Sequence, residues 1–197
     1  MIWSVIKNDQ PELPDIIIPE AHIYVRTTRA DDYMEWANLR EKNMMRLKPL
    51  EPKWMKNALT PEFFERRLKR QAKDWKNDAA YCFLIFEKGS DIMVGGVNLN
   101  NVIRGAAQNA SLGYWICAEY EGKGYMREAV RGVTQYAFDI LKLRRINAAC
   151  LPHNERSKNL LFSLGFEEEG FAKKYLQING VWQDHILFGK VNPSSAS

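Results

Sequence analysis

The chain has 197 residues and a formal net charge of +4, with 46% apolar and 26% charged residues. These values are average for a globular domain, so they exclude a disordered chain, a collagen and a disulfide-stabilised miniprotein. The longest uncharged apolar run, residues 79–86, is far shorter than the ~20 residues that span a bilayer. The amino terminus lacks the basic and apolar segments of a signal peptide. We therefore expect one cytoplasmic domain without membrane contact.

Hydrophobic periodicity predicts strands and helices in the order β-α-α-β-β-β-α-β-α-β-β, which is a single mixed-sheet α/β fold. The predicted strands are residues 23–27, 80–86, 92–102, 110–116, 145–150, 166–178 and 181–188, and the helices begin near 31, 60, 126 and 156. Asp31 or Asp32 is a candidate cap for the first helix. The prolines in residues 47–52 exclude regular structure there. The predicted organisation is an amino-terminal arm or short extra strand at 1–21, a domain at 22–191 and a flexible tail at 192–197.

Cysteine and histidine usage argues against a metal site. The three cysteines (Cys82, Cys117 and Cys150) are widely spaced, and the three histidines are not at metal-ligand spacing. We expect three reduced thiols and no bound metal.

A glycine-containing loop, E-G-K-G-Y-M at residues 121–126, lies between the strand at 110–116 and the next helix. Glycines allow a ligand to approach the backbone, and the amides at a helix start attract phosphate groups. An ordinary tight turn explains the same residues equally well.

A second polar pair, Asn154 and Ser157, follows the strand at 145–150. Locally, Asn154 is a helix cap and Ser157 an additional polar residue. Together with the glycine loop, the pair can instead line a slot between parallel strands, where ligands of open α/β sheets bind.

These motifs resemble the GNAT superfamily of N-acetyltransferases. The loop at 121–126 is similar to the superfamily pattern Q/R-x-x-G-x-G/A, with Glu121 and Met126 as departures. Asn154-x-x-Ser157 and Leu164-Gly165-Phe166 are similar to a second block of the Rim group, which acetylates ribosomal proteins. The resemblance runs from about Tyr24 to Phe188 and implies a GNAT (acyl-CoA N-acyltransferase) fold.

The resemblance also implies acetyl-CoA as the acetyl donor. It places the pantetheine arm along the strand at 116–118, the pyrophosphate on the amides of 122–126, and the thioester near Ser157. The implied coenzyme-binding residues are Ile116, Cys117, Ala118, Gly122, Lys123, Gly124, Tyr125, Met126, Asn154 and Ser157.

Direct attack of a neutral amine on the thioester needs no covalent acyl-enzyme. An α-amino group titrates near pH 8, so its deprotonation at neutral pH needs little assistance from a general base. Ser157 is the candidate hydrogen-bond donor to the departing sulfur. Related Rim enzymes use a glutamate where this chain has Leu176, so Tyr175, His185, Asp184 or a bound water remain candidate bases. A structural carboxylate is the favoured interpretation of Asp184.

The resemblance implies a ribosomal protein amino terminus as acceptor, specifically the alanine of small-subunit ribosomal protein five. Residues 43–52 are similar to the acceptor segment of the group, with Leu50 in place of a tryptophan. Residues 40–76 contain twelve Lys or Arg against five Asp or Glu, so contact with ribosomal RNA is a further hypothesis. The alternatives are acetylation of a small amine (a polyamine, amino acid or antibiotic) and a non-catalytic RNA or ribosome binder.

Overall fold

The computed structural model describes residues 16–18 and 21–195. They form an eight-stranded sheet in the order β1-β2-β3-β4-β5-β6-β8-β7. The strands are β1 (Ile16–Ile17), β2 (Ile23–Thr27), β3 (Tyr81–Glu87), β4 (Met93–Ile103), β5 (Asn109–Ile116), β6 (Arg145–Cys150), β7 (Glu167–Ile178) and β8 (Val181–Val191). The helices are α1 (Tyr33–Lys42), α2 (Met44–Leu47), α3 (Pro61–Lys76), α4 (Tyr125–Asp139) and α5 (Glu155–Ser163).

Within the described chain, β5 and β6 are the one parallel pair of neighbouring strands. Helix α4 supplies the crossover that a parallel connection requires. The two strands pair only from Asn109 with Arg145 to Leu112 with Ala148. Beyond Leu112, β5 and β6 separate and form a fork that opens toward their carboxyl ends.

The sheet is the middle layer between two groups of helices. Alternate residues of β3 point to opposite faces, as the strand period requires: Phe83 and Ile85 pack with α4, whereas Leu84 and Phe86 pack with α1 and α3. The predicted apolar face of α4 is buried from Met126 to Ala137, whereas Ile140, which was expected on the same face, lies beyond the end of the helix and is exposed. The predicted α/β class and the mixed sheet are confirmed.

Two local predictions were wrong. Residues 47–52 are not irregular throughout, because α2 ends at Leu47 and a 3₁₀ turn covers Lys48–Leu50. Pro49 fits the first positions of that turn, where its missing N–H leaves no bond unmade. Asp32 makes no side-chain cap to α1 itself; its carboxylate accepts from the Arg29 amide at 2.6 Å, in the capping box of the 3₁₀ turn (Ala30–Asp32) that precedes α1. The same buried carboxylate forms an ion pair with Arg26, with 2.6 Å between Arg26 Nη2 and Asp32 Oδ1.

Both ends of the described chain contact the rest of the fold. Ile16–Ile17 pair with β2, and Ile18 packs against α4 at Gly132, where a Cβ would collide with it. Asn192 is buried and its amide donates to the Arg144 carbonyl, so the expected tail begins inside the fold. Residues 1–15, 19–20 and 196–197 lie outside the described residues. Among the helices described, none is long and apolar enough to cross a membrane.

Candidate active site

A cleft of about 990 Å³ occupies the fork between β5 and β6. Its walls are the end of β5, the loop at 120–126, the carboxyl end of β6 and the first turns of α5. Leu50, next to α2, and His185 of β8 complete the lining. The separation of a parallel strand pair therefore creates this cleft at the carboxyl ends of the two strands.

The glycine loop lies at one end of this cleft. Gly122 has φ of 76° and Gly124 has φ of 84°, a left-handed conformation that favours glycine. A Cβ at either position would meet no atom within 4 Å, so the loop faces open space. Gly124 is the amino-terminal cap of α4, and the first amides of this helix have no partner inside it. The loop can thus present several N–H groups to an anion.

One edge of β5 is open along the fork. The amide of Cys117 donates to the Val94 carbonyl on β4 at 2.9 Å. Because alternate residues of a strand direct their backbone groups to opposite edges, Tyr114 and Ile116 direct theirs toward the fork. These groups can pair with an extended, amide-containing ligand.

Asn154 caps helix α5, as its local sequence context predicts. Its side-chain Oδ1 accepts a hydrogen bond from the Ser157 amide at 3.1 Å. The cap occupies one lone pair of this oxygen, and the NH₂ group of Asn154 remains available as a donor to a ligand in the cleft.

The Ser157 hydroxyl lies 2.5 Å from the Tyr114 hydroxyl, and both residues line the cleft. Burial raises the pKa of Tyr114 to about 12, so its phenol stays protonated at neutral pH. Sequence reasoning missed Tyr114, although it lies in the strand that precedes the glycine loop. The available signal was the alternation of residues along β5, which places Tyr114 on the same side of the strand as Ile116.

Of the candidate bases, His185 lines the cleft with 2% of its surface exposed. Tyr175 is 48% exposed, lies outside the cleft lining and contacts the His185 ring edge-on. Asp184 Oδ1 accepts from the Lys174 amide at 2.8 Å, within an irregular part of the β7–β8 pairing. Asp184 therefore has the structural role that the sequence favoured.

Three of the predicted coenzyme residues are not in the lining of the cleft. The Cys117 side chain is buried in the core beside α1 and α3. The amide of Ala118 donates to Asn43 Oδ1 at 2.8 Å, so it is already satisfied. Lys123 Nζ lies over the rings of Tyr120 and Tyr125. The other predicted residues (Ile116, Gly122, Gly124, Tyr125, Met126, Asn154 and Ser157) do line the cleft.

Residues 22–167 match the family model described as an acetyltransferase (GNAT) domain. The chain belongs to the GNAT acetyltransferase family. It is 38% identical to the probable N-acetyltransferase YjcK of Bacillus subtilis, over 87% of this chain and 94% of that protein. It is 34% identical to the [ribosomal protein uS5]-alanine N-acetyltransferase of Escherichia coli, over 92% of this chain and 93% of that protein.

Solved GNAT structures share the fold. The ribosomal-protein-S5-alanine acetyltransferase of Vibrio fischeri superimposes with a TM-score of 0.83 at 38% identity, over 90% of this chain and 97% of that one. Mycobacterium smegmatis RimJ, solved in complex with CoA-disulfide, gives a TM-score of 0.82 at 26% identity, over 89% and 84% of the two chains.

Glu121, one of the two departures from the GNAT loop pattern, is the centre of an ion-pair network. Its carboxylate forms ion pairs with Arg46, which lies in α2, and with Arg156, which lies in α5. All three residues line the cleft. The network therefore connects the glycine loop to both walls and leaves a net charge of +1 from these three side chains.

The thiols of this GNAT domain are poorly suited to nucleophilic attack. Burial raises the pKa of Cys150, which lines the cleft, to about 11, and that of Cys117 to about 12. Burial also raises the pKa of the half-buried Cys82. Because the thiolate is the nucleophilic form, each of these cysteines is mostly unreactive at neutral pH.

Proposed function

We propose that this protein transfers the acetyl group of acetyl-CoA to the amino-terminal alanine of small-subunit ribosomal protein five, in the cytoplasm, by direct attack of the amine. The observation that supports acetyl transfer best is the arrangement of the cleft. The glycine loop, an open strand edge, a hydroxyl pair and an imidazole all line one continuous cavity.

The cleft fits an elongated, phosphate-bearing acyl donor. The amides of residues 122–126 would hold the pyrophosphate, and the Tyr114 and Ile116 backbone groups would pair with pantetheine amides. The NH₂ group of Asn154 is a further donor to that arm. Acetyl-CoA would supply the acetyl thioester and the thiolate leaving group.

His185 is the base that the geometry favours. Its Nδ1 lies 3.0 Å from the Gln183 carbonyl oxygen, which can only accept a hydrogen bond. Nδ1 must therefore hold the proton of the neutral ring, and Nε2 keeps the lone pair. Nε2 would take the proton that the amine loses, while Ser157 donates a hydrogen bond to the sulfur.

A polypeptide amino terminus is the acceptor that the relatives favour. The E. coli relative at 34% identity is named for acetylation of the uS5 alanine. Leu50 lies at the cleft with 46% of its surface exposed, so it would contact an acceptor as it enters. A small amine is the competing acceptor, because Leu50 replaces the tryptophan of the Rim pattern.

Helix α3 supports a transient contact with ribosomal RNA through the basic region at 40–76. Arg66, Arg70 and Lys73 follow one another at helical spacing and are exposed. Phe64 and Leu68 are buried on the opposite side. The exposed side of this helix therefore carries a basic stripe that runs about 10 Å along the helix axis, from Arg66 to Lys73.

The decisive experiment gives the purified protein acetyl-CoA and a synthetic peptide with the amino-terminal sequence of ribosomal protein five. Mass spectrometry should find one acetyl group, on the α-amine. The matched control is the same peptide with its α-amine blocked and its lysines free, which should remain unmodified. Acetylation of a polyamine or amino acid, with an unmodified peptide, would contradict the proposed acceptor. A thermal shift with acetyl-CoA alone tests donor binding separately.

A further inference from the structure

Tyr114 connects the two arms of the fork. It lies on β5 opposite Val97 of β4, two residues beyond the last pairing of β5 with β6. Its hydroxyl reaches Ser157 in the first turn of α5, at 2.5 Å. The hydrogen bond therefore joins β5 to α5 where the backbone pairing of the sheet has ended.

We propose that Tyr114 is a positioning residue for acetyl transfer: its hydroxyl donates to Ser157 Oγ and thereby directs the Ser157 proton at the departing sulfur. This inference rests on the proposed function and adds to it a residue that acts through Ser157.

The acidities of the two hydroxyls favour a hydrogen bond that Tyr114 donates and Ser157 accepts. Each hydroxyl has one proton and can also accept hydrogen bonds. A phenol is the stronger acid, and therefore the better donor, so Tyr114 donates and Ser157 accepts. Ser157 then keeps its own proton for a third group in the cleft. Successive hydrogen bonds polarise one another, so donation by Tyr114 also makes Ser157 a stronger donor.

Tyr114 does not itself give up its proton. Burial holds its pKa about three units above that of an ordinary thiol, so transfer to a thiolate is unfavourable. The balanced step is attack of the amine nitrogen on the thioester carbon, with cleavage of the C–S bond. The amine proton passes to His185 Nε2, and the sulfur leaves as a thiolate that Ser157 stabilises.

The test compares Tyr114→Phe, Ser157→Ala and the double variant. Ser157→Ala should lower kcat roughly ten- to a hundredfold, and Tyr114→Phe about three- to tenfold, with the KM for acetyl-CoA unchanged. Because Tyr114 acts through Ser157, Tyr114→Phe should cause no further loss in the Ser157→Ala background. Independent, multiplicative losses would overturn the proposal, as would normal kcat in Tyr114→Phe.

A second measurement does not depend on the acceptor. The pKa of the coenzyme A thiol, bound to the protein, is read from the ultraviolet absorbance of the thiolate. A donor to the sulfur favours the thiolate, so Ser157→Ala should raise this pKa by about one unit and Tyr114→Phe by about half a unit. Tyr136→Phe is the matched control, since Tyr136 is a half-buried phenol outside the cleft lining.

The outcomes separate the two proposals. Absence of coenzyme A binding by the unaltered protein would contradict the proposed function, whatever Tyr114 does. Coenzyme binding with equal thiol pKa in the unaltered protein and Tyr114→Phe would contradict only the role of Tyr114. A lowered melting temperature with unchanged kcat and thiol pKa would make the phenol purely structural.

Discussion

The Gln183 carbonyl oxygen fixes the tautomer of His185, because it lies 3.0 Å from Nδ1 and can only accept. Both residues are on β8, and the bond aligns the ring within a site that exposes 2% of its surface. The remaining ring nitrogen, Nε2, is therefore the basic one. This relationship makes the role of His185 testable by substitutions that retain one nitrogen position and delete the other.

His185→Asn should lower kcat/KM at pH 7 by about ten- to a hundredfold. The asparagine NH₂ can replace the Nδ1 donor to Gln183, whereas Nε2 is lost. The loss should lie at the low end of general-base effects because an α-amine needs little assistance. Near pH 9 most of the amine is already neutral, so the deficit should shrink as the pH rises. A pH profile of the variant and the unaltered protein measures both effects, and a deficit that is the same at both pH values would contradict the assignment.

The strand and helix pattern was readable from the sequence where burial imposes a clear period. Alternation in β3 and the apolar face of α4 each depend on one sheet face or one helix side being buried. The prediction of irregular structure around Pro49 was wrong because proline is excluded from the middle of a helix but not from the first positions of a turn. The predicted Asp32 cap of α1 was wrong because its carboxylate bonds upstream of α1, to Arg26 and to the Arg29 amide of the preceding 3₁₀ turn.

The cleft was only partly predictable for the same reason. The glycine loop and the Asn154–Ser157 spacing are local patterns, and both lie where the sequence placed them. The Tyr114–Ser157 bond joins residues 43 positions apart, and the Asn43 bond that occupies the Ala118 amide spans 75 positions. Hydrophobic periodicity does not predict such long-range contacts, because they depend on how the elements around the fork between β5 and β6 are arranged.

Replacement of the cleft cysteine should leave acetyl transfer intact. Burial raises the pKa of Cys150 to about 11, so its thiol is protonated at pH 7 and little of the nucleophilic thiolate is present. Cys150→Ser should retain kcat within about twofold, as should Cys82→Ser and Cys117→Ser, whose side chains lie outside the cleft lining. Intact-mass analysis during turnover provides the check, and an acetyl group trapped on Cys150 would refute direct attack.

Glu121→Gln should tighten coenzyme binding. The carboxylate neutralises one of the two guanidiniums that it contacts, Arg46 and Arg156. Glutamine removes the negative charge and leaves both cations to attract the phosphates of the coenzyme. Calorimetry should find a lower Kd with a steeper dependence on salt, because the added attraction is screened. A Kd that rises would instead mean that the ion-pair network itself shapes the binding site.

Charge reversal on α3 should weaken RNA binding without affecting acetylation of a peptide. The triple change Arg66→Glu, Arg70→Glu and Lys73→Glu removes three exposed cations far from the buried side of the helix. Each lost contact with a single-stranded phosphate lowers the slope of log K against log salt by about 0.7, so the slope should fall by about 2.

The control for the α3 variant is a second triple substitution, which changes the net charge by the same amount at positions outside α3. The control variant replaces three exposed cations outside residues 40–76: Arg131→Glu, Lys142→Glu and Lys173→Glu. Filter binding of ribosomal RNA over a series of salt concentrations should separate the two triples. An equal loss of affinity in both would show that net charge, and not the basic stripe, governs binding.

Gly124→Glu should abolish coenzyme binding and leave the fold intact. At φ of 84° a residue with a Cβ is strained by roughly 1–2 kcal/mol, which a domain of this size tolerates. The added carboxylate would enter the open space in front of the loop and repel the pyrophosphate. Gly105→Glu is the matched control, because Gly105 also has a positive φ and open space but lies in the turn at the opposite end of β5. Both variants should melt a few degrees below the unaltered protein, and only Gly105→Glu should still be stabilised by acetyl-CoA. Equal stabilisation of the two variants would remove the loop from the coenzyme site.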